Sequence, residues 1–173
     1  MTPSRRRLGT SLYAGVLFTV LGAVTWASGQ PFVFPSLGPS AFVLAFERRG
    51  ERTRTYRVVG SHLIGGVAGL LSYTLFGAGV TLTTTPAALS PGALHLVGSG
   101  VLSIVLTAWG MIATDTTHAP ACATTLIVSL GLLSTPRQVA IIVASVVVLV
   151  EVHGVAIRAF ERLVGDTHPA YAE

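Results

Sequence analysis

Charge and cysteine are both scarce in this chain. Only 10% of its 173 residues are charged, and lysine is missing altogether, so that all eleven basic residues are arginine. A single cysteine, Cys122, excludes an intramolecular disulfide. No serine stands in a Gly-x-Ser-x-Gly elbow and no phosphate-binding glycine loop occurs. Histidines at 62, 95, 118 and 153 show none of the compact spacing, such as a pair at i, i+4, that metal ligands on one helix need. These absences leave no expected catalytic residue, metal or cofactor. The net charge of +4 is accounted for by arginine clusters, which leaves no call for a nucleic-acid partner.

What the chain has in abundance is apolar length. With 51% apolar residues and a mean hydropathy of +0.70, it carries more apolar surface than a soluble domain of this size can cover, and the expected solvent is a lipid bilayer. Apolar runs at 8–29, 58–80, 94–113 and 139–160 each approach the roughly 20 residues that a helix needs to cross about 30 Å of hydrocarbon. Two further apolar stretches, 31–46 (PFVFPSLGPSAFVLAF) and 118–136 (HAPACATTLIVSLGLLSTP), are interrupted by Pro35, Pro39, Pro120 and Pro136. Proline lacks an N–H and clashes with the preceding turn, so these stretches are expected as partial helices. Irregular backbone at membrane depth belongs inside protein or beside water. The expected fold is an all-α polytopic membrane protein with four full transmembrane helices and two short Pro/Gly-broken membrane segments. It forms one membrane domain over 1–173, with a first half at about 8–80, a second at about 94–160 and a short polar tail at 165–173.

Arginine placement orders these segments across the membrane. Ten arginines fall in three groups, at 5–7, 48–57 and 158–162, and Arg137 stands apart. If both broken segments cross, there are six passes and all three groups share one side, which the positive-inside rule makes cytoplasmic. Both termini are then cytoplasmic, in a multi-pass protein of the plasma membrane. If the segments only dip and return, the 48–57 group is stranded on the other side. Arg5, Arg6 and Arg7 ahead of an apolar run also resemble a twin-arginine export signal, but the run is long enough to span, and the arginines read better as its anchor. Three crossings per half would invert the second half relative to the first. A 3+3 inverted repeat is supported by laying Pro39-Ser40-Ala41 on Pro120-Ala121-Cys122, after which Arg57 and Arg137 each open a long apolar run. Ser61, Gly65 and Gly69 form a small-residue ridge that should seat the third helix centrally, with His62 beside the close contact.

The broken segments also carry the candidate chemistry. Paired interruptions in two halves point to a central binding site in a transporter. In each, hydroxyls and proline precede a stretch that can continue as helix, with Ser36, Gly38 and Ser40 in the first and Thr117, His118 and Pro120 in the second. Such helix starts offer N–H groups and a partial positive charge to an anion. Each end is worth roughly 0.3–2 kcal/mol, against tens of kcal/mol to strip an ion of water. A small inorganic anion would therefore need a wet cavity and further hydrogen bonds, with His62 as a secondary contact. His118 is either a ligand group or a cap on a kinked helix. Asp115 either orients His118 or ends the fourth span at the interface, and Glu151 in the last helix either couples protons, pairs with an arginine or snorkels. Two rival functions are a non-transporting membrane scaffold or sensor, and a membrane-embedded enzyme using His118 with Asp115 and Cys122. The small size leaves room for a homo-oligomer.

Residues 117–126 (THAPACATTL) resemble the His-Pro-Pro-Ala-Gly-Ala-Thr-Ala-Leu signature of the HPP family of integral membrane proteins, with His-Ala-Pro here in place of His-Pro-Pro. Residues 35–41 (PSLGPSA) are similar to that family's Ser-Leu-Gly-Ala-Ser-Ala element, and 57–66 (RVVGSHLIGG) to the arginine, histidine and glycine stretch that follows it. The resemblance covers most of the chain from about residue 35. It implies a small multi-span transporter, in a family whose plastid and cyanobacterial members are associated with nitrite transport. Ala119, Cys122 and Pro39 depart from the family's proline, glycine and alanine.

Overall fold

The computed structural model describes residues 3–84 and 86–164, and the polar tail expected at 165–173 lies outside the described residues. Among the described residues six α-helices follow one another: α1 (Pro3–Ser28), α2 (Leu37–Phe46), α3 (Thr55–Ser72), α4 (Pro91–Ala113), α5 (Ala121–Ser129) and α6 (Pro136–Val164). A short 3-10 turn, Glu51–Thr53, precedes α3, and a π turn, Tyr73–Gly77, prolongs it. No strand occurs among the described residues. Among the described residues, four stretches are long and apolar enough to cross a bilayer: Arg7–Ser28, Thr55–Gly77, Pro91–Ala113 and Pro136–Leu163. The chain is an all-α, multi-pass membrane protein.

The two later spans begin three residues before the apolar runs do, and proline is the reason. Pro91 and Pro136 occupy the first helical position, where a missing N–H costs nothing. Ser90 Oγ caps α4 by accepting the Ala93 N–H at 3.2 Å. At α6 the cap is reciprocal: Thr135 Oγ1 accepts the Gln138 N–H at 3.3 Å while Gln138 Oε1 accepts the Thr135 N–H at 3.1 Å. Proline thus starts these helices, whereas Pro31 and Pro35 stand in the non-helical approach to α2. The helices α2 and α5 have only ten and nine residues. At 1.5 Å per residue that is about half of a bilayer's hydrocarbon thickness.

The centre of the molecule is α3, which packs against α4, α5 and α6. Its Gly65 and Gly69 admit the α5 backbone: a Cβ on Gly65 would stand 2.8 Å from the Ala121 carbonyl oxygen, and one on Gly69 2.7 Å from that of Thr125. The small-residue ridge therefore does seat α3 centrally. Peripheral α1 packs on α2 and α6 and buries chiefly Leu17 and Leu21. The apolar core joins these to Leu37, Ala41 and Leu44 of α2 and Ile142, Val146 and Leu149 of α6.

Contacts between distant residues fix the direction of each helix. Tyr13 Oη lies 2.9 Å from His153 Nδ1, His153 Nε2 lies 3.0 Å from the Arg48 carbonyl oxygen, and Arg49 pairs with Glu161. The start of α1, the loop after α2 and the end of α6 therefore share one end of the molecule. The opposite end holds the loops after α3 and α5, joined by the Leu82 N–H to Leu130 carbonyl bond. There Gly131 turns the chain with φ +78°, and a Cβ would meet the Val80 carbonyl oxygen at 2.7 Å.

Candidate functional site

A short helix, a non-helical approach and a central helix bring three polar side chains to one point. Ser40 sits in the first turn of α2, His62 two turns into α3, and His118 just ahead of α5. The Ser40 hydroxyl lies 3.0 Å from His62 Nε2 and 3.1 Å from His118 Nε2. The two rings stand 5.5 Å apart between centroids, inclined at 54°. Ser40 and His62 are fully buried and His118 is 3% exposed. The site is closed in this structure, where the sequence pointed to a wet cavity.

One assignment of protons satisfies the contacts of Ser40 at once. Ser40 Oγ donates to the Ser36 carbonyl oxygen at 3.2 Å, which leaves its two lone pairs for the Nε2–H groups of His62 and His118. His62 Nδ1 then accepts from the Thr124 hydroxyl at 2.7 Å. In this arrangement two imidazoles point N–H donors at a single oxygen. Ser36, one turn before Ser40, is fully buried, and its hydroxyl has no hydrogen-bond partner among the described residues. Unsatisfied buried hydroxyls are uncommon and call for an explanation.

Other expected residues fall elsewhere. Gly38 and Thr117 are exposed, while Pro120 is buried at the entry to α5. Asp115 is exposed, with the unusual φ of +52°, and accepts a hydrogen bond of 2.6 Å from Arg57 Nη2. This pair ties the end of α4 to the start of α3. Glu151 is exposed on α6. The α5 terminus is less open than a bare helix end: the Ala121, Cys122 and Ala123 N–H groups are taken by the carbonyls of His118, Ala119 and Pro120. At α2, Leu37 N–H goes to the Phe34 carbonyl and Pro39 has no N–H to give.

Sequence reasoning missed Thr124, although it stands inside the signature-like stretch 117–126, one turn into α5. It also missed the hydroxyls between α4 and α5. Ser99, Ser103 and Thr107 recur every fourth residue on one face of α4, which was a legible signal. Ser99 donates to the Ser129 carbonyl at 2.7 Å, Ser103 to Ser129 Oγ at 3.0 Å, and Thr107 meets Thr125 Oγ1 at 2.5 Å. Thr125 in turn donates to the Gly65 carbonyl at 2.6 Å. The described residues hold no group of three or more His, Cys, Asp and Glu side chains placed to share a metal ion.

No curated protein and no solved structure matches this chain. The model of one family, described as the HPP transmembrane region, matches residues 2–165. That span includes both histidines, Ser40 and every helix described above, and the chain belongs to the HPP family of transmembrane proteins.

Proposed function

We propose that this protein carries a small inorganic anion, nitrite or one of similar size, across the plasma membrane, and that it is a transporter and not an enzyme. The observation that carries the reading is the convergence of His62 Nε2 and His118 Nε2 on one buried oxygen. A site built for two N–H donors at one point suits an anion oxygen, for which Ser40 Oγ stands in when the site is closed. The unpartnered Ser36 hydroxyl adds a donor at the same helix start.

Energetics limit how the anion is held. A hydrogen bond to a charged group contributes roughly 1.5–3 kcal/mol, so three such donors supply about 4.5–9 kcal/mol. Complete dehydration costs tens of kcal/mol, so the anion keeps part of its water and the site opens to admit it. The packing supports such an opening. Ser40 belongs to α2 and Ser36 directly precedes it, and α2 packs chiefly on α1, whereas His62, His118 and Thr124 belong to the tightly packed α3–α5 region. The ligand groups thus straddle a seam.

Packing also supports a 3+3 inverted repeat. Exchanging α1, α2, α3 with α4, α5, α6 maps the α1–α2 contact onto α4–α5, α3–α4 onto α1–α6 and α3–α5 onto α2–α6, and α3–α6 onto itself. With the arginine groups 5–7, 48–57 and 158–162 toward one end, that end is cytoplasmic under the positive-inside rule, and so are both termini.

The test is uptake of nitrite, nitrate, formate and chloride into liposomes holding the purified protein, beside empty liposomes. Protein-dependent flux of a small anion, lost when His118→Ala and Ser40→Ala are combined, is the expected result. Unchanged flux in that double variant would overturn the site. No flux of any anion would turn the reading to the scaffold, which the closed interior also suits.

A further inference from the structure

The two short helices meet start to start. From Ser40, α2 runs to the end of the molecule that holds Arg48, whereas α5 runs from His118 to the opposite end, where the Leu130 carbonyl accepts the Leu82 N–H. With ten and nine residues, they put roughly 15 Å of helix on either side of the point where Ser40 Oγ lies 3.1 Å from His118 Nε2. Ser40 and His62 meet only neutral groups there among the described residues: each other, His118, Thr124 and the Ser36 carbonyl.

Charged and titratable groups on the surrounding helices are engaged elsewhere or turned away. Arg57, five residues ahead of His62 on α3, gives its guanidinium to Asp115, Glu51 and Tyr56. On α6, Arg137 and Glu151 are exposed, and His153 is bound to Tyr13 of α1 and to the Arg48 carbonyl. His95 on α4 is exposed, Cys122 on α5 is half-buried, and α2 has no titratable residue between Leu37 and Phe46. An anion entering alone would therefore bring a charge that no fixed cation balances, held by donors that fall short of the cost of dehydration. A proton entering alone would set an imidazolium against a second ring 5.5 Å away and against the positive ends of two helices. Each charge lacks only the other.

We propose that the anion crosses only together with one proton, which is held on the His62 ring. The proposal rests on the anion reading above and names its coupling ion. In the loaded site the two Nε2–H groups address the anion where Ser40 Oγ stands in the closed form. The proton comes from water on the open side and binds His62 Nδ1. Thr124 Oγ1, 2.7 Å away, turns from donor to acceptor and gives its own hydrogen to a carbonyl of its helix. On the far side anion and proton leave together and Nδ1 becomes an acceptor again, so that one cycle moves no net charge. By reciprocity, the anion tightens proton binding by the factor with which the proton tightens anion binding.

The experiment uses the full chain in liposomes with nitrite as the probe, and subtracts the initial rate in empty liposomes to remove leakage of nitrous acid. Potassium with valinomycin sets the membrane potential, and a buffer step sets the outside pH. The rate should rise towards about tenfold for each unit of outside acidification, the limit for one proton, and a pH dye sealed inside should report acid entering with the nitrite. A potential of either sign should leave the rate unchanged. His62→Gln keeps an N–H donor but cannot take up a proton, and its rate should lose the dependence on outside pH. A rate that follows the potential, no acid entry, or pH dependence retained in His62→Gln overturns the coupling and leaves the anion reading standing. No protein-dependent flux overturns both. If His62→Gln fails to fold, the dye and the potential still decide with the native protein.

Discussion

Ser40 is the residue on which the interior turns, because three hydrogen-bonding partners address its one hydroxyl. Ser40→Ala leaves two buried imidazole donors facing a methyl group, and an unsatisfied buried donor costs about 1–3 kcal/mol. Thermal unfolding in detergent should therefore drop in the variant. If an anion takes the place of the hydroxyl, added nitrite should recover more stability in Ser40→Ala than in the native protein, and equal recovery would count against that site. Thr124 acts at one remove, through His62 Nδ1. Thr124→Val frees that ring to change tautomer or turn, so flux should fall by raising the anion concentration needed for half-maximal uptake, with the maximal rate less affected. The sequence pointed to His118, Ser40 and His62 from proline breaks and helix periodicity, yet their meeting at one oxygen was not legible. It depends on how far α2 enters the bundle, and local sequence does not encode that distance.

At the scale of elements, glycine position separates a structural role from a site role. A Cβ on Gly69 would stand 2.7 Å from the Thr125 carbonyl oxygen and 2.8 Å from Val128 Cβ, whereas one on Gly38 meets nothing within 4 Å. Overpacking costs about 1–3 kcal/mol, and backbone cannot swing aside as a flexible side chain can. Gly69→Ala should lower the unfolding temperature clearly and Gly38→Ala should not, so a larger loss for Gly38→Ala would contradict the close approach of α3 and α5. The ridge at Ser61, Gly65 and Gly69 was readable because its period needs only one helix. The Ser99, Ser103 and Thr107 row has the same period, but its meaning needed Thr125 and Ser129 from another helix. Pro136 was legible only as an interruption, yet like Pro91 it begins a helix, because Thr135 and Ser90 cap these two starts.

At the scale of the molecule, the decisive quantity is the number of crossings. Four long helices alone would put the chain's arginines on alternating sides, since the 48–57 group would follow one crossing and the 158–162 group four. The Arg49–Glu161 pair and the His153 contact to Arg48 instead bring those two groups to one end, with the start of α1. In the six-pass arrangement proposed above, the stretch from Gly29 to Phe46 traverses the bilayer as extended chain plus a ten-residue helix. Cysteines placed singly in a Cys122→Ala background can read this directly, because Arg54 and Leu89 are exposed at opposite ends of α3 and its loop. In oriented vesicles, a membrane-impermeant maleimide should reach Arg54→Cys from the side that carries a tag at the N-terminus, and Leu89→Cys only from the other. Labelling of Arg54→Cys from the side opposite the tag would mean that α2 dips and returns. Ser36 and Ser40 would then lie on a segment that never leaves one face, and neither the six-pass arrangement nor a path through the seam between α2 and α3 would survive.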